Sequence, residues 1–266
     1  MPPAWTESKE GSVMDYTLRE LMAIIAAREI RNGDIVFCGT GISMVAAMAA
    51  KHMNAPESII FFETGAIDSA LEEIPMAVAD PRVMYAAASN GGLLDAFATM
   101  QNRITGDRVI GILGAAQIDK YGNMNSTSIG DYFRPKTRFS GSGGACDVAS
   151  FVPRYIIFMQ HEKRKFPVKV DYLTSPGYLD GNGGRERAGL MTGGPSAVVT
   201  NLAMMRFDEK TKEMYLAHYY PGITPQKILD NMEFPVDISK ATEAAPPTAG
   251  ELKILREVVD PQRIIL

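Results

Sequence analysis

Two short apolar runs near the start of the chain each end in a glycine-bearing turn, and a stretch of helical spacing lies between them. Ile35-Val36-Phe37-Cys38 leads into Gly39-Thr40-Gly41, and Ser58-Ile59-Ile60-Phe61-Phe62 leads into Glu63-Thr64-Gly65. Unbroken apolar runs of this length read as strands covered on both faces. Between them, Ser43 to Met53 is rich in alanine and methionine and predicts a helix. Upstream, Thr17 and Glu20 form a T-x-x-E capping box, and Leu18, Leu21, Met22 and Ile25 follow at helical spacing towards Asn32-Gly33. Helix, strand, turn, helix, strand is the order of a parallel sheet with crossover helices. The chain is therefore expected to form an α/β fold with an open, mostly parallel sheet and flanking helices.

The remainder extends that pattern. Val109–Leu113, Tyr155–Met159, Val168–Leu173 and Ala197–Thr200 read as further short strands. Met204–Phe207 and Met214–His218 flank the charged turn Asp208–Lys212 and predict a hairpin. Thr224-Pro225 and the Thr248/Glu251 capping box start two short closing helices. Asn125 to Lys136 is polar with no clear period, and glycine-rich loops occupy Gly141–Ala145 and Gly177–Gly194. The polar, proline-bearing residues 1–16 read as an N-terminal arm, and 17–266 as a single domain; the bridge Ala244–Pro247 is too short to divide it.

The composition removes several classes of function. With 266 residues the chain can bury a full core, and 46% apolar with 22% charged residues is ordinary for a globular protein. A net charge of −4 argues against a nucleic-acid partner. No apolar run reaches the ~18–20 residues that span a bilayer, and the start has no apolar segment of a signal peptide. Cys38 and Cys146 lie far apart and suggest neither zinc nor a disulfide framework. A cytoplasmic protein with no membrane contact is expected.

Glu63 stands at the carboxyl end of a predicted strand, where open α/β sheets bind ligands. A carboxylate partly stripped of water there is a candidate nucleophile or general base. The competing reading is a strand-end glutamate paired with a surface lysine or arginine. Gly39-Thr40-Gly41 invites a dinucleotide reading, but the third glycine of that fingerprint is replaced by Met44. No G-x-S-x-G run is present, and His52, His161 and His218 are scattered. Lys163-Arg164-Lys165 suits either a phosphate contact or a solvated charge cluster. The chemistry compatible with what remains is attack by a carboxylate on an activated acyl group, with amides of Gly141–Ala145 receiving the oxyanion.

The order of several motifs then narrows the reading. Gly39-Thr40-Gly41, Glu63-Thr64-Gly65, Gly114–Asp119 with Tyr121-Gly122-Asn123, Asn125–Tyr132, Gly141–Ala145, Gln160–Arg164, Ser175-Pro176-Gly177 and Gly183–Arg187 recur in this order in one family. Over nearly its whole length the chain resembles the B subunits of class I CoA-transferases of the glutaconate type. The resemblance implies the CoA-transferase fold, shared with sugar-phosphate isomerases, and Glu63 as the covalent nucleophile. It implies a glutamyl-CoA thioester, with Gly143, Gly144 and Ala145 as oxyanion and CoA contacts and Asn123 and Asn125 in the same pocket. Coenzyme A enters as substrate, with no tightly bound cofactor and no metal, and the acyl groups are small and dicarboxylic. An A subunit is expected as partner, in a heterotetramer or larger assembly. The rivals are a hydrolase or decarboxylase on the same scaffold and, further off, an effector-sensing domain of that fold.

Overall fold

The structure is a computed structural model that describes residues 15–102, 105, 107–190 and 193–266. Most of the expected N-terminal arm lies outside the described residues. Helix α1 (Leu18–Glu29) starts as expected: the Thr17 hydroxyl accepts from the Glu20 amide, and the Glu20 carboxylate accepts from the Thr17 amide. Strand β1 (Ile35–Cys38), helix α2 (Ile42–His52) and strand β2 (Ile59–Phe61) follow, and β1 and β2 pair in parallel. The chain then reverses into β3 (Ala66–Ile67) and, further on, β4 (Ser89–Asn90), both antiparallel, before helix α3 (Leu93–Gln101).

Strand β5 (Val109–Gly114) returns beside β1. Two small ladders come next, β6 (Gln117–Ile118) with β7 (Met124–Asn125), and β8 (Ser128–Ile129) with β9 (Thr137–Arg138). Helix α4 (Ala145–Phe151) and strand β10 (Arg154–Met159) complete another crossover. After a short helix α5 (Gly184–Arg187) come β11 (Pro195–Thr200), β12 (Ala203–Phe207) and β13 (Met214–Tyr219). Helix α6 (Pro225–Leu229), strand β14 (Thr242–Glu243) and helix α7 (Ala249–Ile254) close the chain.

Among the described residues a ten-stranded sheet forms, in the order β14-β13-β12-β11-β10-β5-β1-β2-β3-β4. Its centre, β2-β1-β5-β10-β11, is parallel. Taken in chain order, these five strands run second, first, third, fourth, fifth, so the winding reverses between β1 and β5. In open α/β sheets ligands bind outside the carboxyl ends of the strands at such a reversal.

The strands are apolar on both faces because both faces are covered. Val36, Ile60, Ile110, Ile156 and Val199 pack with α1, α2 and the C-terminal segment. Phe37, Phe61, Val109, Ile157 and Val198 face the other way, onto α3 and α4. At about 25 cal/mol per Å2 of apolar surface, this two-sided burial is the main stabilising term. Gly111 sets how close α4 comes: a Cβ there would lie 2.3 Å from Val148 Cγ1. The segment Val168–Leu173 is not a strand. It runs as irregular chain with Val168 63% and Leu173 48% exposed, because β5 and β11 already flank β10.

Candidate active site

Glu63 sits in the turn that follows β2. The Gly65 amide donates to the Phe62 carbonyl (2.9 Å), and the Phe62 amide donates to the Ala66 carbonyl (3.0 Å), so residues 63 and 64 form the tip of a tight reversal. Gly65 has φ +99°, and a Cβ there would lie 2.4 Å from the Gly91 carbonyl oxygen. Only glycine allows that approach. The Gly91 amide donates back to the Gly65 carbonyl at 2.8 Å, so the start of α3 locks the Glu63 turn from the side. Glu63 is half-buried, and its carboxylate has no hydrogen bond or ion pair among the described residues. Among the described residues Glu63 therefore has no lysine or arginine partner. Beside it the Thr64 hydroxyl is buried and also without a partner.

A row of aromatic rings ties this turn to the glycine loop before α4. Phe61 and Phe37 meet edge to face with centroids 5.3 Å apart, and Phe37 lies 6.3 Å from Phe97 of α3. Phe97 in turn abuts Gly144, where a Cβ would lie 2.7 Å from its Cζ. The turns after β1 and β2, the start of α3 and the loop Gly141–Ala145 are thus gathered along one edge of the sheet. That is the edge where the winding reverses. Gly39 and Gly41 stand open there, since a Cβ on either would meet nothing within 4 Å.

The expected amide donors divide. Gly143 and Gly144 donate to no acceptor among the described residues, whereas the Ala145 amide donates to the Ser142 carbonyl at 2.9 Å. Ala145 supplies a turn, and the donors still free are Gly143 and Gly144. Gly143 is exposed with φ +47°, and Gly144 is buried.

Asn123 and Asn125 are supports. The Asn123 side chain donates to Asp119 Oδ2 (2.9 Å) and the Leu179 carbonyl (2.8 Å), and accepts from the Gly177 and Leu179 amides (3.0 and 3.1 Å). Asn125, fully buried, donates to Gln117 Oε1 (2.8 Å) and the Ser128 carbonyl (2.7 Å), and accepts from the Thr127 and Ser128 amides. Both are saturated and have nothing left to offer a substrate. Asn125 shapes the turn that carries Ser126, and Ser126 holds the glycine loop at both polar groups of Gly141. The Gly141 amide donates to the Ser126 carbonyl (3.1 Å), and the Ser126 hydroxyl donates to the Gly141 carbonyl (2.9 Å).

Other groups are tied into the fold. Burial pushes the Cys38 thiol up to about 12, so it is no nucleophile. His161 is buried, stacks on Phe166 at 4.5 Å and sets Nε2 against the Ile228 carbonyl. In Lys163-Arg164-Lys165, Arg164 and Lys165 pair with Glu162. A cavity of about 340 Å3, lined by Arg154, Tyr178, Arg185 and Lys212, opens at the amino ends of β10 and β11, the edge opposite Glu63. Sequence reasoning missed the part played by Gly91-Gly92 and Phe97; the glycine pair ahead of a helical run was the signal that could have found it.

A carboxylate held at a strand end, with two free backbone amides gathered along the same edge, is an arrangement chemically suited to acyl transfer. Comparison with known proteins agrees. Residues 19–231 match the coenzyme A transferase family. The chain is 46% identical over 253 residues to the B subunit of glutaconate CoA-transferase from Acidaminococcus fermentans, spanning 93% of this chain and 94% of that one. It is 31% identical over 243 residues to the B subunit of 3-oxoadipate CoA-transferase from Pseudomonas knackmussii, spanning 91% and 92%. The crystal structure of the Acidaminococcus fermentans glutaconate enzyme superposes with a TM-score of 0.91 at 45% identity, over 94% of this chain and 97% of that one. The chain belongs to the coenzyme A transferase family.

Proposed function

We propose that the chain is the B subunit of a two-subunit CoA-transferase that moves CoA between a small dicarboxylic acyl-CoA of the glutaconate kind and an acceptor carboxylate. The observation that carries this reading is the unpaired Glu63 carboxylate, locked by Gly65 and Gly91 at the edge that also gathers Gly143 and Gly144. Glu63 attacks the acyl carbonyl and forms a tetrahedral oxyanion, which the Gly143 and Gly144 amides receive. Collapse expels CoA thiolate and leaves an acyl-glutamyl anhydride. The thiolate then attacks the glutamyl carbon, releasing the first acid and leaving a glutamyl-CoA thioester on Glu63. The acceptor carboxylate attacks that thioester and expels the thiolate; the thiolate takes the new acyl group and frees Glu63. No water enters the balance, so the site works only while water is excluded.

The names of the relatives and the motifs above support a partner A subunit, in a hetero-oligomer. Two free cysteines, one of them fully buried, suit a reducing cytoplasmic setting. Among the described residues no helix is long and apolar enough to cross a membrane.

The test is to co-express the chain with its A subunit and incubate the complex with glutaconyl-CoA or glutaryl-CoA without an acceptor. Peptide mass spectrometry then reads the Glu63 peptide. A CoA adduct that disappears on adding acetate, with acetyl-CoA formed, is the expected result. Free CoA accumulating without an acceptor would make the enzyme a hydrolase. Glu63→Gln should abolish the adduct and all transfer. Its stability should stay within about 0.5 kcal/mol of wild type, because the carboxylate it replaces makes no bond.

A further inference from the structure

The run Gly183–Arg187 stands out in the sequence yet lies away from Glu63, and its central arginine is 3% exposed. Arg185 has no carboxylate partner among the described residues. A buried guanidinium without a counter-ion is costly unless its donors are taken up. Here the Nη1 and Nη2 donors of Arg185 go to backbone carbonyls on two separate segments, while its buried Nε has no partner among the described residues. Nη2 donates to Ala149 (2.9 Å) and Ser150 (3.4 Å), in the last turn of α4, whose carbonyls lack helical partners. Nη1 donates to Gly177 (2.9 Å) and Pro176 (3.3 Å).

Those two segments lead to opposite ends of the glycine loop. Helix α4 begins directly after Gly144. The 174–177 segment is bonded to the 124–126 strip: the Met124 amide donates to the Ser175 carbonyl (3.0 Å), and the Ser126 amide donates to Thr174 Oγ1 (2.9 Å). Ser126 in turn holds Gly141. Starting from Arg185, the connections run through α4 to Gly144, back along the loop to Gly141, across to Ser126 and Thr174, and home through Pro176 and Gly177. Arg185 closes this ring.

We infer that Arg185 is a positioning residue: by joining α4 to the 176–177 turn it sets where the free Gly143 and Gly144 amides stand relative to Glu63. The inference rests on the proposed role of those amides. A donor helps an oxyanion only within a few tenths of an ångström of its proper place, so a clasp at the far end of the helix bears on the rate. Lysine cannot reproduce it, having one compact ammonium where four carbonyls on two segments need a planar fork.

The test uses the complex with its A subunit and compares wild type, Arg185→Lys, Arg185→Met and Arg185→Ala. Hydrogen exchange read by mass spectrometry is measured first, because it does not depend on the reaction. Exchange should rise at least tenfold in peptides spanning residues 141–151 and 174–179, with peptides of β1 and α1 unchanged. Next, the rate of Glu63 adduct formation per folded enzyme should fall ten- to a hundredfold in Arg185→Lys and Arg185→Met, with KM for acyl-CoA within about twofold. In Arg185→Ala, added guanidinium, which can enter through the cavity that Arg185 lines, should restore the rate by several fold and leave wild type unaffected.

Unchanged exchange in the two peptides, or exchange raised uniformly over the chain, would overturn the inference. So would a wild-type adduct rate in folded Arg185→Met. Absence of the adduct in wild type would instead remove the proposed function; a local rise in exchange would then still show the clasp, and its absence would refute it.

Discussion

At the scale of single residues, the site depends on what Glu63 lacks and what Gly65 permits. On the proposed mechanism, a carboxylate without a partner keeps its lone pairs for attack, and the cost of holding it there falls on the turn. Gly65 combines φ +99° with a backbone carbonyl 2.4 Å from where a Cβ would be. That neighbour is no flexible side-chain tip that can swing away. Gly65→Ala should therefore destabilise the protein by about 2 kcal/mol or more, from left-handed strain plus overpacking. Its loss of activity should be larger than the fraction unfolded explains, since relief of the clash displaces Glu63. Denaturant melts and specific activity on the same preparation check both parts; wild-type stability in the variant would refute the close approach. Gly144 is a milder case, because what it meets is the end of the Phe97 ring.

At the scale of elements, the glycine loop is held by neighbouring parts of the fold. The small β6–β7 ladder is one of them, pinned by Asn125. Asn125→Ala would remove the partner of the buried Ser128 carbonyl and amide and of the part-buried Thr127 amide, and leave Gln117 Oε1 only the Asp171 amide. A loss of about 2–3 kcal/mol is expected. If Asn125 braces the loop rather than binding substrate, kcat falls through Ser126 and Gly141 while KM for acyl-CoA stays nearly constant. A large rise in KM with kcat unchanged would restore Asn125 to the pocket. Steady-state kinetics at a temperature where the variant is folded decide between these outcomes.

For the whole molecule, burial makes stability sensitive to acid, and His161 is one identifiable place; burial also pushes the His218 imidazole down. His161 lies under α6, where burial pushes its imidazole down to about 4 from an ordinary 6.5. The unfolded chain takes up a proton below about pH 6.5, and the folded chain does so only near 4. The His161 contribution to stability is therefore full above 6.5, declines as pH falls through that window, and levels off below it. The drop corresponds to on the order of 3 kcal/mol. Urea melts between pH 7.5 and 4.5 should show the decline, and His161→Gln should flatten it. An equal slope in the variant would place the acid sensitivity elsewhere.

Much of this was legible in the chain itself. Apolar runs, capping boxes and glycine punctuation act over a few residues, so helices α1 and α2, the strand before Glu63 and the β12–β13 hairpin could be read locally. Glu63 could be read too, because an apolar strand that ends in a carboxylate is a local event. What the residues alone left open is which polar groups are already engaged. Ala145 looks as good a donor as Gly143 until its amide is seen to donate to the Ser142 carbonyl, and Asn125 suits a pocket or a brace equally well. Val168–Leu173 has a strand's residues but no place in the sheet, and Arg185 has a surface charge's identity but sits among carbonyls from two distant segments. Local pattern determines where elements form and where a reactive side chain falls. Only tertiary packing decides which hydrogen-bond partners meet, because those partners lie tens of residues apart and are brought together by the burial of the sheet's two faces.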